Sequence, residues 1–175
     1  MDLHAEDGPV TLRTERLVLR PPEMADADWI AAGVSLPEVQ RFLTTPPHPY
    51  RHEDAIEFLS GCGQQSGVFV IVEGERPLGI IALEPGDDGD EFGYWMHPDG
   101  WGRGLMTEAG RALLGHAFET GHETVLSGHY TDNPRSARVL TKLGFREAGM
   151  ARHFCKFRGE EVPVQRLSLH RDEWL

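Results

Sequence analysis

The stretch that decides the fold of this 175-residue chain is EFGYWMHPDGWGRGLMTEAGRALLGHAF, residues 91–118. Residues 91–97 are predicted to form a strand, and residues 103–120 form the longest helical pattern in the chain. Between them, Gly100, Gly102 and Gly104 let the backbone approach a ligand closely and direct several N–H groups the same way. The helix that follows favours an anion at its N-terminus. The unit therefore resembles a cradle for a pyrophosphate.

Other glycine-rich loops fit this stretch less well. It lacks the Gly-Lys-Ser/Thr ending of a Walker loop. It also departs from the dinucleotide-binding fingerprint, because Thr107 stands where the third glycine would be. The residues alone leave two interpretations open, which are an anion site and a turn that only starts a helix.

The rest of the chain predicts alternating helices and strands around this unit. Helical patterns lie at residues 25–34, 36–43, 53–64 and 134–143. Strand patterns lie at residues 10–20, 68–72, 78–83, 125–130, 145–157 and 162–169, and the second and third of these form a hairpin by their turn chemistry. We expect one α+β, or mixed α/β, domain over residues 10–175, preceded by a flexible tail at residues 1–9.

Composition excludes several classes of function. The formal charge of −11 argues against a nucleic-acid-binding protein, because phosphate binding requires a basic surface. Acidity favours a cationic substrate through steering, although it also serves solubility alone. The sequence contains no long apolar window, no secretory signal pattern and only two cysteines, so we expect a cytoplasmic protein without membrane contact. Its nine histidines lack metal-ligand spacing, so no metal is expected.

A second informative segment is NPRSARVLTKLGF, residues 133–145. Asn133 is a good N-cap ahead of Pro134 at the first helical position, and Gly144 ends the helix. A well-capped helix is by itself sufficient to explain these residues.

Taken together, the two segments resemble the GNAT superfamily of acetyl-CoA-dependent N-acetyltransferases, and most closely its RimJ/RimL-type branch. Four further pieces match that branch, namely TERLVLRP at residues 14–21, Gly93-Tyr94-Trp95, Trp101-Gly102-Arg103-Gly104 and Glu108-Ala109. The resemblance covers residues 10–175. It implies a twisted, mostly antiparallel seven-stranded sheet, flanked by helices, whose central strands splay apart.

The resemblance also implies where acetyl-CoA binds. The backbone of Met96 would pair with the pantetheine arm, Asn133 would contact it, and Arg138 and Lys142 would reach the phosphates. Backbone amides for the diphosphate would come from Trp101, Gly102, Arg103, Gly104, Leu105, Met106 and Thr107. Met106 departs from the commonest family pattern, which has Gly or Ala there, so we expect a local rearrangement at that position.

Catalysis in the family is direct attack of the amine on the thioester, with a backbone N–H near Met96 holding the oxyanion. Glu91 is the predicted base, with an exposed strand-edge carboxylate as the alternative interpretation. Ser136 is the predicted acid, because Leu140 occupies the position where many relatives carry a tyrosine. The alternative for Ser136 is a solvent-facing serine in the first helical turn.

The predicted function is therefore acetyl transfer to a primary amine. The acceptor is either a protein N-terminus or a small amine such as an amino acid, a polyamine or a drug. A non-catalytic acyl-CoA-binding sensor is the alternative of another class, and a homodimer stays open. Several aromatic residues either line the amine pocket or belong to the core: Trp29, Tyr94, Trp95, His129 and Tyr130.

Overall fold

The computed structural model describes residues 8–63 and 67–174. Residues 1–7 of the predicted tail, and residue 64 at the end of the third predicted helix, lie outside the described residues.

Helices and strands occur in the predicted order. The strands are β1 (Leu12–Arg13), β2 (Leu17–Arg20), β3 (Val68–Glu73), β4 (Arg76–Pro85), β5 (Asp90–Met96), β6 (Thr124–Tyr130), β7 (Arg146–Cys155) and β8 (Glu160–His170). The α-helices are α1 (Ala27–Val34), α2 (Pro37–Gln40), α3 (His52–Gly61), α4 (Leu105–Glu119) and α5 (Pro134–Lys142). The mixed α/β class is confirmed, as is the hairpin, because β3 pairs antiparallel with β4.

Within residues 8–63 and 67–174 the sheet has eight strands, so the prediction of seven was wrong. The segment predicted as one strand over residues 10–20 is divided by a turn at Thr14. The backbone N–H of Thr14 donates to the Leu17 carbonyl at 2.9 Å, and the Leu17 N–H donates to the Thr14 hydroxyl at 2.9 Å. A threonine hydroxyl can replace a sheet partner in this way, which ends the first strand early.

The strand order is β1-β2-β3-β4-β5-β6-β8-β7. Strand β5, which precedes the glycine-rich loop, and strand β6, which precedes α5, are neighbours at its centre. Every neighbouring pair is antiparallel except β5 with β6, which are parallel. That parallel pair matches only Asp90 with Val125 and Glu91 with Leu126. Beyond these two positions the central strands separate, as the family resemblance implied.

Helices cover both faces of the sheet. Side chains of α4, such as Leu113 and Leu114, pack with Phe92 and Leu169 on one face. Side chains of α1 and α3, such as Ile30 and Leu59, pack on the other. The alternation of strand side chains therefore buries apolar groups on both sides.

The first turn of α4 is tied to the N-terminal strands through Glu108. Its carboxylate accepts hydrogen bonds from the Thr14 hydroxyl at 2.6 Å, the Arg16 backbone at 2.9 Å and the Arg16 guanidinium at 2.7 Å. Partial burial acts to raise the pKa of Glu108, but these hydrogen bonds and the Arg16 charge outweigh burial and hold the pKa below its usual range. The ionised form thus stabilises the fold.

Glu108→Gln should therefore lower the free energy of unfolding by about 1 to 3 kcal/mol at pH 7, the range for charged hydrogen bonds. Because the folded pKa lies below the ordinary value of 4.5, this contribution is complete above pH 4.5 and is lost as the pH falls through the folded pKa. Urea unfolding at pH 7 and pH 3 measures it, and the wild-type advantage should shrink at pH 3. An equal advantage at both pH values would contradict the assignment. Glu123→Gln, which removes an exposed ion pair with Arg171, is the control and should change little.

Candidate active site

The gap between β5 and β6 exposes backbone groups at the centre of the sheet. The backbone N–H of His97 donates to the Leu78 carbonyl at 2.7 Å. In an antiparallel pair the backbone hydrogen bonds alternate along the strand, so the N–H and C=O groups of odd-numbered β5 residues bond to β4, and those of even-numbered residues point toward β6. The backbone groups of Phe92, Tyr94 and Met96 are therefore directed into the gap. Ser127 bridges the gap at its narrow end, where its hydroxyl donates to the Phe92 carbonyl at 2.8 Å.

A cavity of about 430 Å³ occupies this gap and continues on both faces of the sheet. Nine of the predicted site residues line it: Met96, Trp101, Gly102, Gly104, Leu105, Met106, Thr107, Asn133 and Ser136. Four others stand outside its described lining: Glu91, Arg103, Arg138 and Lys142. The structure thus brings the loop, the strand end and the start of α5 together around one space.

The glycine loop is shaped by backbone conformations that other residues avoid. Gly102 and Gly104 have φ angles of 72° and 75°, in the left-handed region that favours glycine. Gly104 is the residue before α4, which begins at Leu105. The loop therefore delivers the unpaired N–H groups of the first turn of α4 directly to the cavity.

Trp101 fixes the loop against the end of β5. Its indole N–H donates to the Met96 carbonyl at 2.8 Å. The guanidinium of Arg135 lies over the Trp101 ring, 3.6 Å from its centroid. Arg135 lines the cavity, so the structure places a cation from the first turn of α5 beside the glycine loop.

Arg135 was not among the predicted site residues, which included two other cations of the same helix as phosphate partners; that prediction stays a prediction. Arg138 and Lys142 are exposed on later turns of α5. The only sequence signal for Arg135 was its position in the first turn after the Asn133 cap. Its placement beside the glycine loop depends on the contact with Trp101, which is distant in sequence.

The Arg103 side chain is engaged away from the cavity. Its guanidinium donates to both carboxylate oxygens of Glu73, at 2.9 and 2.6 Å. The hydrogen bond from Arg103 holds the pKa of Glu73 below its usual range. Arg103 therefore contributes its backbone to the loop, while its side chain anchors the loop to β3.

Two hydroxyl groups meet on the α5 side of the cavity. The Tyr94 and Ser136 hydroxyl oxygens are 2.7 Å apart. Burial raises the pKa of Tyr94 above its usual range and outweighs the opposing effect of the Ser136 hydrogen bond, so the phenol keeps its proton. The neighbouring Leu140 is fully buried in the core. The sequence predicted Ser136 as a site residue but did not predict its pairing with Tyr94.

The predicted base, Glu91, lies at the narrow end of the gap in an ion pair with Arg166 of β8. This contact does not test whether Glu91 accepts a proton, so its role as the base stays a prediction. Asn133 accepts from the Ser136 backbone N–H at 3.2 Å, which confirms the helix cap. Its contact with the pantetheine stays a prediction as well.

His129 lines the cavity from β6. Its Nδ1 lies 2.9 Å from the Tyr130 carbonyl oxygen. Because a carbonyl only accepts, Nδ1 carries the hydrogen and Nε2 of the neutral ring is left as an acceptor. The neutral His129 ring therefore has its acceptor lone pair at Nε2.

The sequence profile described as "Acetyltransferase (GNAT) domain" matches residues 16–146. The chain belongs to the GNAT acetyltransferase family. This GNAT protein is 28% identical over 174 residues to the uncharacterized N-acetyltransferase p20 of Bacillus licheniformis, covering 94% of this chain and 98% of that one. It is 29% identical over 116 residues to the ribosomal-protein-serine acetyltransferase of Escherichia coli, covering 61% and 65%.

Solved GNAT structures share the fold. RimJ of Mycobacterium smegmatis, in complex with CoA-disulfide, superposes with a TM-score of 0.80 at 21% identity, covering 94% of this chain and 89% of that one.

Within residues 8–63 and 67–174 of this GNAT protein, every helix is too short or too polar to cross a bilayer. The same residues contain no cluster of three metal-ligating side chains.

Arg135→Met should raise the Kd for coenzyme A about 10-fold at low salt, because a cation facing the glycine loop is lost. The effect should diminish as added salt screens the charge. Arg138→Met is the matched control on the same helix and should change the Kd less than about 2-fold, since Arg138 lies outside the cavity. Titration calorimetry measures both. A larger loss with Arg138→Met would place the phosphates along the later turns of α5 instead.

Proposed function

We propose that this GNAT protein transfers the acetyl group of acetyl-CoA to the α-amine of a polypeptide by direct attack. The proposal is based on the cavity in the β5–β6 gap. This cavity is lined by residues from both faces of the sheet. Two substrates can enter from opposite faces and meet between the strands.

The residues on the α4 and α5 face fit the coenzyme. The glycine loop and the first turn of α4 present N–H groups to a diphosphate, and Arg135 adds a positive charge. The backbone groups of Tyr94 and Met96, directed into the gap, suit a pantetheine arm, which carries amides of its own. Acetyl-CoA, when bound, supplies the acetyl group as an activated thioester.

Transfer requires an N–H group at the thioester oxygen and a base for the amine. The backbone N–H groups directed into the gap are the oxyanion donors that support this step. A protonated amine must lose a proton before its nitrogen lone pair can bond to the carbonyl carbon. The predicted base is Glu91, and the placement of His129 in the cavity supports a second candidate.

As the carbon–sulfur bond breaks, the sulfur leaves as a thiolate, which a hydrogen-bond donor stabilises. Ser136 lines the cavity, and its hydroxyl is held by Tyr94 at 2.7 Å. When Tyr94 donates to the Ser136 oxygen, the Ser136 hydrogen is left to point into the cavity. This pair supports Ser136 as the donor to the thiolate, with Tyr94 as the group that positions it.

A polypeptide acceptor is supported by the relatives. The Escherichia coli relative is named for acetylating a ribosomal-protein serine. Acidity of the chain is compatible with the many basic ribosomal proteins as well as with a small cationic amine. A binding protein without turnover is the alternative, because Leu140 occupies the position of the tyrosine found in many relatives.

The decisive experiment measures thiol release from acetyl-CoA with a panel of N-terminal peptides and small amines. Turnover with peptides supports the proposal, turnover with small amines alone replaces the acceptor class, and coenzyme binding without any turnover favours the sensor. Running the assay across pH with Glu91→Gln and His129→Gln identifies the base, because its loss should remove the acidic limb of the rate profile.

Ser136→Ala should lower kcat by about 10- to 100-fold while changing the Kd for coenzyme A less than about 2-fold, because it removes a donor needed only in the reaction. Single-turnover kinetics and titration calorimetry measure the two quantities. Thr141→Ala, an exposed hydroxyl on the same helix, is the control and should leave both unchanged. Unaltered kcat in Ser136→Ala would return this serine to a purely structural role.

A further inference from the structure

The face of the sheet covered by α1–α3 has a hollow above its two central neighbouring strands. In the register of β4 and β5, Ala82 lies opposite Gly93, and the next pair on the same face is Ile80 opposite Trp95. A pair of small residues beside a pair of large ones leaves a space above the small pair. We refer to this space, the part of the cavity above Ala82 and Gly93, as the acceptor chamber.

Gly93 shows that the chamber is open. It is exposed although it lies in the middle of a central strand. A Cβ atom built at Gly93 would meet nothing within 4 Å, and its φ is outside the left-handed region. The backbone therefore does not require glycine at this position, and what the missing side chain provides is room.

Apolar side chains predominate in the cavity lining on this face of the sheet. Ile30 and Val34 of α1, Phe58 of α3, and Val39 and Leu43 at and beyond α2 all line the cavity. These side chains can neither donate nor accept hydrogen bonds. The group that fills the chamber is consequently recognised by burial of apolar surface.

Charge and hydrogen-bonding groups lie at the margins of the chamber. Glu84, the next residue of β4 on this face, and Glu38 of α2 both line the cavity and are exposed. The Thr44 hydroxyl, also in the lining, lies 2.8 Å from the Tyr130 hydroxyl and is paired with it. The chamber therefore combines an apolar interior with an acidic margin, which suits an ammonium group beside an apolar substituent.

We infer that the acceptor carries a large apolar side chain next to its amine, as in a polypeptide whose first residue is Leu, Met or Phe. The inference rests on the proposed function, and it specifies the acceptor class that the chamber selects. A first residue such as Ala or Ser would leave the apolar walls in contact with water. Three additional buried carbons favour Leu over Ala on the order of 50-fold.

Gly93→Val tests the chamber directly. Valine is well accommodated in a strand, and its side chain enters the open space above Gly93. The variant should lower kcat/KM for Leu, Met and Phe peptides at least about 10-fold and leave Ala peptides within about 2-fold. The Kd for coenzyme A should not change, because the coenzyme approaches from the opposite face. Glu84→Gln is the companion variant, and it should raise KM for all peptides without altering their order.

The measurements are kcat/KM for peptides that differ only in their first residue, and calorimetric binding of the same peptides to the protein saturated with coenzyme A. The amides of the corresponding amino acids form a second arm, which distinguishes a polypeptide from a small amine with the same side chain. Tighter binding of Leu than Ala peptides, abolished in Gly93→Val, supports the inference even if no acetylation occurs. Equal binding of Leu and Ala peptides, or equal losses for both in Gly93→Val, would overturn it.

Discussion

Two parallel strands at the centre of this sheet stay paired for only two residues. Their separation leaves backbone N–H and C=O groups of β5 without a neighbouring strand, and buried backbone groups require partners. The Ser127 hydroxyl donates to the Phe92 carbonyl, and the Trp101 indole N–H donates to the Met96 carbonyl. An amide-containing ligand can pair with the remaining groups, which is why we propose this gap in the sheet as the binding site.

The surrounding structure holds that defect in place. Gly102 and Gly104 turn the chain so that α4 begins at the wide end of the gap. Glu108 fastens α4 to the N-terminal strands, and Arg103 fastens the loop to β3. In a chain with a net charge of −11, Arg135 supplies a positive charge at the place where we propose that a diphosphate binds. These contacts preorganise the loop, which reduces the ordering cost of binding.

The sequence predicted those features that local patterns determine. The apolar run of β5, the glycines after it and the period of α4 are contiguous, so the strand–loop–helix unit could be recognised directly. The division of the first strand at Thr14 was missed, because it depends on a turn closed by one backbone and one side-chain hydrogen bond within an otherwise regular alternation. Arg135 over Trp101 and the Tyr94–Ser136 pair were missed for another reason, since each joins segments far apart in the chain. The acceptor chamber depends on the register of β4 against β5, which no single segment encodes.

The most direct test of this account is an NMR titration that follows the backbone amides of the protein as coenzyme A is added. The largest shift changes are expected at Tyr94, Met96 and residues 102–107, where the gap and the first turn of α4 present their N–H groups. Binding accompanied by large changes elsewhere and none at these amides would contradict it.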